Sequence, residues 1–288
     1  MGCSCDTARP VVAFDDVRFT YPGADAPSLD GVTLQVGAGE YLAVLGANGS
    51  GKSTMLLHMN ALLVPDAGRV SVYVGGNEFD SASKHDLMEI RRACSMIFQN
   101  PDEQTVASTV EEDVAFGPEN LGLASEEIRQ RVDESLAKVG LDGFQQRLVF
   151  DLSRGQRQRV AVAGALAMYP AVLLCDEPTA MLDAQGSHEV MDVLRQVNED
   201  GTAVVLITHD MEEALQADRI VILEGGQIVM EGAPREVFSR TNAAKLKELG
   251  LELPAPARYA LEHGVEGDLP LTIDELVKWL KASGGAVF

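Results

Sequence analysis

Tyr41-Leu-Ala-Val-Leu45, followed by Gly46-Ala-Asn-Gly-Ser-Gly-Lys-Ser53, is the stretch that decides the fold. Five consecutive apolar residues predict a strand buried on both faces, and a glycine-rich turn then leads into helix-compatible residues 53–60. The turn fits the pattern G-x-x-x-x-G-K-[ST], whose backbone N–H groups surround a phosphate at a helix start. We predict that Lys52 supplies a charge for the β- and γ-phosphates and that Ser53 offers its hydroxyl to Mg²⁺. The residues expected to line this loop are Gly46, Ala47, Asn48, Gly49, Ser50, Gly51, Lys52, Ser53 and Thr54.

A second candidate element is the acidic pair Asp176-Glu177, which directly follows the apolar run Ala171-Val-Leu-Leu-Cys175. Two adjacent carboxylates at the end of a buried strand are costly unless a cation or a reaction uses them. Because neighbours on a strand point to opposite sides, we expect Asp176 to hold the hydration shell of Mg²⁺ and Glu177 to orient and deprotonate a water. The alternative interpretation is a solvated turn.

Two further strand-like runs, Cys94–Phe98 and Ala203–Thr208, end in the polar residues Gln99 and His209. A single Gln or His after a strand is usually a satisfied polar residue, so neither indicates function alone. Parallel strands nevertheless deliver the side chains at their ends to one edge of the sheet, where open α/β sheets bind ligands. We therefore predict that Gln99 and His209 join the phosphate loop and the acidic pair in one site.

The order of the apolar runs predicts the fold class. Such runs, separated by helical stretches from Tyr41 onward, indicate an α/β fold with a largely parallel sheet. Residues 11–36 alternate in part and predict an antiparallel sheet with one solvated face. A helical insert is expected at about 105–150, with Ser125 as the predicted N-cap of its clearest helix, and Gly225-Gly226 closes a hairpin.

We expect three parts of the chain: a flexible N-terminal tail at 1–10, a main domain at 11–240 and a C-terminal extension at 241–288. In the extension, a loop is followed by a helix that starts near Thr272. An extension this short is marginal as an independent core, so it should pack on the main domain or on a partner. The residues expected to punctuate the loop are Pro254, Pro256, Gly264, Gly267 and Pro270, and the apolar face of the helix is Ile273, Leu276, Val277 and Leu280.

The charge balance argues against general nucleic-acid binding. The 288 residues include 44 acids and 23 Lys and Arg, so the formal net charge of −21 repels a polyanion at long range. The apolar runs are shorter than the roughly 20 residues of a membrane-spanning helix, and we expect no secretory signal. Cys94 and Cys175 are predicted as core residues, while Cys3 and Cys5 lack a nearby partner that would complete a metal site.

The segment Leu152-Ser-Arg-Gly-Gln156 precedes a predicted helix that runs to about Met168. Ser153 and Gln156 have the spacing of a capping box, in which each side chain bonds the backbone N–H of the other residue. By itself this pattern means a helix start and nothing more. Its occurrence together with a phosphate loop, an acidic pair and a strand-end histidine gives it functional weight.

Taken together, these motifs resemble those of the ATP-binding-cassette (ABC) ATPases, over about residues 11–240. The matching segments are Gly46–Ser53 for the Walker A loop, Gln99 for the Q-loop, Leu152–Gln156 for the signature, Ala171–Glu177 for Walker B, Ala180–Asp183 for the D-loop, His209 for the switch histidine and Tyr21 for the aromatic residue that stacks on adenine. The resemblance implies a P-loop NTPase with a RecA-like core, an antiparallel β subdomain, a helical subdomain and a small C-terminal helical extension. It implies ATP and Mg²⁺ as cofactors.

The same resemblance implies a role for each matched residue. The implied catalytic residues are Lys52, Glu177 and His209, the implied metal ligands are Ser53, Gln99 and Asp176, and the implied nucleotide contacts beyond the phosphate loop are Tyr21, Gln99, Ser153, Gly155, Gln156 and Asp183. It also implies a head-to-tail pair with two ATP molecules at the interface. Each ATP would lie between the phosphate loop of one chain and the signature of the other, whose helix start adds about +0.5 charge.

A narrower resemblance rests on Phe98-Gln-Asn-Pro-Asp-Glu-Gln104 and Thr109-Val-Glu-Glu-Asp-Val-Ala-Phe-Gly117. These segments are similar to those of the ATPases of energy-coupling-factor importers, which take up vitamins or metal ions. The implied partners are a second ATPase subunit, identical or paralogous, a transmembrane coupling subunit and a membrane-embedded substrate-binding subunit. The implied location is the cytoplasmic side of the cell membrane, with the segment after Gln99 forming part of the coupling surface.

Two residues depart from the family pattern: Arg154 stands where the commonest signature has Gly, and Met181 replaces a small D-loop residue. Two alternative functions stay open. One is a soluble ABC ATPase that acts on nucleic acid or ribosomes, although the long insert or second cassette typical of that class is missing. The other is a non-hydrolysing, nucleotide-gated assembly subunit, which Arg154 would make possible.

Overall fold

Two β-sheets form the framework of the protein, whose computed structural model describes residues 10–264 and 267–282. The strands are β1 (Pro10–Phe19), β2 (Leu29–Gly37), β3 (Tyr41–Leu45), β4 (Ala67–Val74), β5 (Asn77–Asp80), β6 (Cys94–Ile97), β7 (Val172–Asp176), β8 (Ala203–Ile207), β9 (Arg219–Glu224) and β10 (Gln227–Gly232). The helices are α1 (Lys52–Met59), α2 (Leu87–Ala93), α3 (Pro101–Gln104), α4 (Val110–Asn120), α5 (Ser125–Lys138), α6 (Arg154–Leu166), α7 (Ala184–Glu199), α8 (Met211–Ala214), α9 (Pro234–Val237), α10 (Ala243–Glu248), α11 (Ala255–Glu262) and α12 (Ile273–Ala282), with 3₁₀ turns at Val149–Asp151 and Arg240–Asn242.

The larger sheet has the strand order β10-β9-β3-β8-β7-β6, and all its neighbours are parallel except the β9–β10 hairpin. This confirms the predicted α/β class. The strand β3 is buried along its whole length. Tyr41, Ala43 and Leu45 contribute to the core on one face, while Leu42 and Val44 contribute to the core on the other. A run without alternation is therefore what this position in the sheet requires.

The smaller sheet has the order β2-β1-β4-β5 and is antiparallel throughout, as residues 11–36 predicted. Its buried side chains share one hydrophobic core with α1 and one face of the larger sheet. The backbone N–H of Asp30 donates to the carbonyl of Gly226 (2.9 Å), so the tip of the predicted Gly225-Gly226 hairpin joins the two sheets. Pro10, assigned to the tail from the sequence, begins β1.

Helices α4, α5 and α6 pack against one another beside the opposite face of the larger sheet. The predicted N-cap of α5 was wrong by one residue: Ala124 occupies the cap and Ser125 is the first helical residue, without a side-chain cap bond. The reason is local, because Glu126 and Glu127 still place negative charge in the first turn and stabilise the helix start without a hydroxyl.

The extension contains more helix than expected. The segment with Pro254 and Pro256, expected to be a loop, begins α11, because proline fits the first turn, where a backbone N–H has no helical partner. Residues of the extension belong to the same hydrophobic core as the helical side of the larger sheet. They are Leu246, Leu249, Leu251, Leu253, Ala257, Ala260, Leu269 and Leu271.

The final helix, α12, packs only in part against this core. Trp279 lies against it, whereas Ile273 and Val277, expected on the apolar face, are 66% and 40% exposed. None of the helices within 10–264 and 267–282 is long and apolar enough to cross a membrane. Cys94 and Cys175 are buried and unbridged, and Cys3 and Cys5 lie outside the described residues.

Candidate functional site

The phosphate loop curls between β3 and α1, and two of its glycines are required by backbone geometry. Gly46 has φ +147° and Gly51 has φ +107°, a region that side chains rarely adopt. A Cβ at Gly46 would lie 2.3 Å from the carbonyl oxygen of Leu223, and one at Gly51 would lie 2.3 Å from that of Ser28. The two glycines therefore let the loop turn tightly against neighbouring backbone.

Lys52 brings a positive charge into this loop. Its side chain is buried, and Nζ donates to the carbonyl oxygens of Gly46 (2.8 Å) and Ala47 (3.0 Å). Burial lowers the pKa of Lys52, whereas the nearby carboxylates of Glu177 and Asp176 raise it. The hydroxyl of Ser50 is also buried in the loop and has no hydrogen-bond partner in the protein. A confined ammonium group and a spare hydroxyl donor fit an anionic ligand such as a triphosphate.

The carboxylate of Glu177 is held from both sides by the other strand-end residues. Nε2 of Gln99 donates to Oε2 at 3.2 Å, and Nε2 of His209 lies 2.8 Å from Oε1. The backbone N–H of Glu177 donates to Ile207 at the end of β8 (3.0 Å). Glu177 also has φ +48°, a left-handed conformation that costs a non-glycine residue about 1–2 kcal/mol. Strain at an oriented carboxylate is typical of functional sites.

Asp176 and Ser53 form the oxygen-rich part of the site. Burial raises the pKa of Asp176, and a hydrogen bond with Ser53 is the first of the interactions that lower it. A carboxylate and a hydroxyl are ligands that suit Mg²⁺, which in nucleotide sites takes one or two protein oxygens and fills the rest with phosphate and water. No group of three or more His, Cys, Asp or Glu side chains that could hold a metal ion occurs in the described part of the chain.

Tyr21 lies beside the start of α1. Its hydroxyl is 3.4 Å from the hydroxyl of Thr54, and its ring meets the ring of Phe19 edge-on at 4.9 Å. Phe19 in turn meets the buried ring of His58 at 4.8 Å. Tyr21 is 38% exposed, so part of the ring remains open to a ligand next to the phosphate loop.

The signature residues lie apart from the phosphate loop. Ser153 and Gln156 form the predicted capping box, with Gln156 N donating to Ser153 Oγ (3.2 Å) and Ser153 N donating to Gln156 Oε1 (3.0 Å). Nη1 of Arg154 reaches the carbonyl oxygen of Met181 at 3.5 Å. Asp183 is the N-cap of α7 and accepts from Gly186 N (2.8 Å). These residues, with Gly155, line a separate recess of about 290 Å³.

Two sets of contacts were not predicted from the sequence. Glu213, on α8, is a buried carboxylate that joins the hydroxyls of Thr208 and Thr179. Arg157 on α6 pairs with Asp102 on α3, Nε to Oδ1, at 2.8 Å. In the sequence, Glu213 stands among other acids at a helix start, so nothing marks it as buried.

The Q-loop segment is folded back on β6. Gln104 accepts from Phe98 N (3.1 Å) and donates to the carbonyl oxygen of Met96 (3.2 Å), while Asn100 caps α3 and donates to Glu103 (2.9 Å). Gln104 and Glu103, which had no physical role from the sequence, therefore fix α3 relative to Gln99.

The family model described as "ABC transporter" matches residues 29–180. The chain is 48% identical over 279 residues to the energy-coupling factor transporter ATP-binding protein EcfA1 of Clostridium perfringens, covering 94% of this chain and 97% of the relative. It is 49% identical over 284 residues to the protein of the same name from Symbiobacterium thermophilum, again covering 94% and 97%.

Solved structures agree with the sequence relatives. The structure of cbiO1 from Clostridium perfringens, described as part of the ABC transporter complex cbiONQ, superposes with a TM-score of 0.73 and 33% identity, covering 83% of this chain and 95% of that one. A dimeric, post-hydrolysis structure of the ATP-binding cassette MJ0796 bound to ADP and Pi has a TM-score of 0.69 and 33% identity, covering 78% and 99%.

Proposed function

The chain belongs to the ABC transporter family and to its energy-coupling-factor ATP-binding proteins, and from that premise we propose how its residues power a membrane importer. The chain is an ATPase whose hydrolysis is coupled to transport. We propose that two such subunits, identical or paralogous, pair head to tail and drive uptake of a micronutrient, a vitamin or a transition-metal ion. The single observation that carries the proposal is the Glu177 carboxylate held between His209 and Gln99 beside the phosphate loop.

Glu177 is the proposed general base. A carboxylate with one oxygen on His209 and the other on Gln99 has a fixed orientation, so it can align a water molecule and accept its proton. His209 is the proposed contact for the terminal phosphate, and Lys52 neutralises phosphate charge from the loop. Tyr21 contributes a partly open ring on which a base can stack.

Mg²⁺ is the proposed metal, held by Ser53 and Asp176 with Gln99 completing the set. When bound, it would neutralise charge on the phosphates. The expectation that both acids lie on one strand was wrong, because β7 ends at Asp176 and Glu177 follows it in a left-handed conformation. We assign the two adjacent carboxylates different roles because they have different partners, Ser53 for Asp176 and His209 with Gln99 for Glu177.

The signature is the proposed contact for nucleotide bound to the partner. Ser153, Gly155 and Gln156 stand at the start of α6, and Asp183 caps the adjacent helix α7. A helix start carries about +0.5 charge, which suits the far side of a triphosphate held by another chain. The guanidinium group of Arg154 contacts the carbonyl oxygen of Met181, so its Nη1 has a partner within the chain.

Membrane partners complete the proposal. With no membrane-spanning helix in the described residues, we infer that this chain acts on the cytoplasmic face through a transmembrane coupling subunit and a membrane-embedded substrate-binding subunit. The fixed α3 segment and its neighbours form the proposed coupling surface. A net charge of −21 disfavours the alternative of action on nucleic acid or ribosomes.

Substitution of Glu177→Gln tests the proposal. The amide keeps the shape of the side chain but cannot accept a proton, so single-turnover phosphate release should fall at least about 100-fold while ATP binding persists. Light scattering should show an ATP-dependent dimer that no longer dissociates. Glu199→Gln, an exposed change at the end of α7, is the matched control and should behave like the wild type.

Three outcomes separate the candidate functions. Normal turnover in Glu177→Gln would remove this residue from the role of base. A wild-type protein that binds ATP without releasing phosphate would favour the non-hydrolysing assembly subunit. In proteoliposomes that contain the purified membrane complex, uptake and hydrolysis should be lost together in Glu177→Gln, and uptake that persists would contradict coupling through this chain.

A further inference from the structure

A buried carboxylate that the proposed chemistry does not use lies directly behind the site. Glu213, in the short helix α8, is 6% exposed. Its Oε2 accepts a hydrogen bond from the Thr208 hydroxyl at 2.5 Å, and the hydroxyl of Thr179 bonds the same carboxylate. Burial raises the pKa of Glu213, and these two hydroxyls lower it. A carboxyl group buried among apolar residues is tolerated only when its oxygens are paired in this way.

The two threonines belong to the two loops that carry the reacting groups. Thr208 directly precedes His209, and Thr179 follows Glu177 by two residues. The Thr208 hydroxyl also accepts from the backbone N–H of Asp210 at 3.0 Å, which closes the turn around His209. Each loop therefore has one residue in the proposed active site, Glu177 or His209, and one threonine that bonds Glu213.

We propose that Glu213 is a positioning residue for hydrolysis, because it ties the loop after β7 to the loop after β8. The tie fixes the separation of Glu177 and His209, whose side chains meet at 2.8 Å. The carboxylate accepts from both hydroxyls, and neither of its oxygens carries a donor that would compete with them. Glutamine offers one accepting oxygen, and alanine offers none, so the three side chains form a graded series.

The inference rests on the proposed hydrolysis at Glu177 and makes a distinct kinetic prediction. Lys52 and the phosphate loop are not part of the tie, so nucleotide binding should be unaffected by its loss. A misplacement of reacting groups by about 1 Å can reduce turnover roughly 100-fold. We expect kcat to fall roughly 10- to 100-fold in Glu213→Ala and less in Glu213→Gln, with KM for ATP within about twofold of the wild type.

The experiment measures kcat, KM and equilibrium ATP affinity for the full-length wild type, both Glu213 variants and two variants of Thr179. Thr179→Val keeps the volume but removes the hydroxyl, whereas Thr179→Ser keeps the hydroxyl, so the first should lose turnover and the second should retain it. Glu212→Gln, an exposed neighbour on the same helix, is the control. Thermal unfolding establishes that each variant is folded before its rate is compared.

Non-additivity provides the decisive comparison. Because one carboxylate serves both loops, Thr179→Val combined with Glu213→Ala should lower kcat no further than Glu213→Ala alone. Unchanged kcat in folded Glu213→Ala, or a loss of ATP affinity that accounts for the whole loss of rate, would overturn the inference. A wild type without hydrolysis would instead overturn the proposed function, so the two failures are distinguishable.

Discussion

The two halves of the proposed nucleotide site differ in how they are held. At the edge of the larger sheet, each charged group finds its partner inside the chain: Lys52 on two loop carbonyls, Glu177 on His209 and Gln99. At the start of α6, the side chains of Ser153 and Gln156 bond to each other's backbone N–H groups. The first region is organised before any ligand binds, whereas the second is a polar helix start presented outward.

This difference is consistent with the proposal that two chains complete the nucleotide site. The phosphate loop and the signature each offer positive potential to a phosphate, but on separate surfaces of the same molecule. In the proposed head-to-tail pair, a second copy or a paralogue brings the complementary half. Nucleotide would then join the two chains, and its hydrolysis would remove the group that they share, which would supply the difference in affinity between the paired and open states.

The largest effect should come from the preorganised half. Replacing Lys52 with Ala removes a buried cation that we propose as a phosphate ligand, and hydrogen bonds to charged groups contribute about 1.5–3 kcal/mol. We expect ATP affinity, measured by equilibrium binding to the isolated chain, to fall roughly 10- to 100-fold. The exposed Lys84→Ala is the control for a general loss of positive charge. Unchanged affinity in Lys52→Ala would mean that the loop does not carry phosphate recognition.

The outward-facing half should respond differently. Ser153→Ala removes the N-cap hydroxyl of α6, a change that costs about 1 kcal/mol of helix-start stability. We expect ATP affinity of the single chain to stay at the wild-type value, while ATP-dependent pairing and hydrolysis fall about fivefold. Ser125→Ala is the matched control, because Ser125 is exposed and caps nothing. Weaker ATP binding by monomeric Ser153→Ala would erase the distinction between the two halves.

The half of the site at the strand ends could be predicted from the sequence, whereas the contact between Arg154 and Met181 could not. The larger sheet and the convergence of Lys52, Gln99, Glu177 and His209 were predictable, because polar residues after uninterrupted apolar runs must meet at the ends of parallel strands. Met181 and Arg154 depart from a pattern, yet their contact depends on how α6 and α7 start, which spacing alone does not encode.

The interactions that support the site were not predictable. Glu213 directly follows the exposed Glu212, and only the burial of α8 against Thr179 and Thr208 separates the two acids. The helix α11 was missed because prolines favour loops in general but also suit a first helical turn, and the choice depends on the core that Ala257 and Ala260 enter. Tertiary packing decided both cases.

The smallest expected effect concerns the link between the two halves. Arg157 on α6 donates to the carbonyl oxygen of Leu152 (2.8 Å), next to Ser153, and pairs with Asp102 on α3. Gln104 of the same helix accepts from the backbone N–H of Phe98, the residue before Gln99. With Asp102 45% exposed, solvent screens the pair, and a coupling free energy of about 0.5–1 kcal/mol is expected for unfolding.

A double-mutant cycle with Asp102→Asn and Arg157→Gln measures this coupling in two ways. Denaturant unfolding gives the structural value, and ATP hydrolysis by the paired subunits gives the functional one. If the ion pair relays the position of the Q-loop to the signature, the hydrolysis cycle should be non-additive by about as much as the unfolding cycle. Asp142→Asn, an exposed acid remote from α3, should be additive with Arg157→Gln. If the unfolding cycle shows coupling but the hydrolysis cycle is additive, the ion pair stabilises the helical subdomain only. The positions of the two half-sites would then be independent of each other.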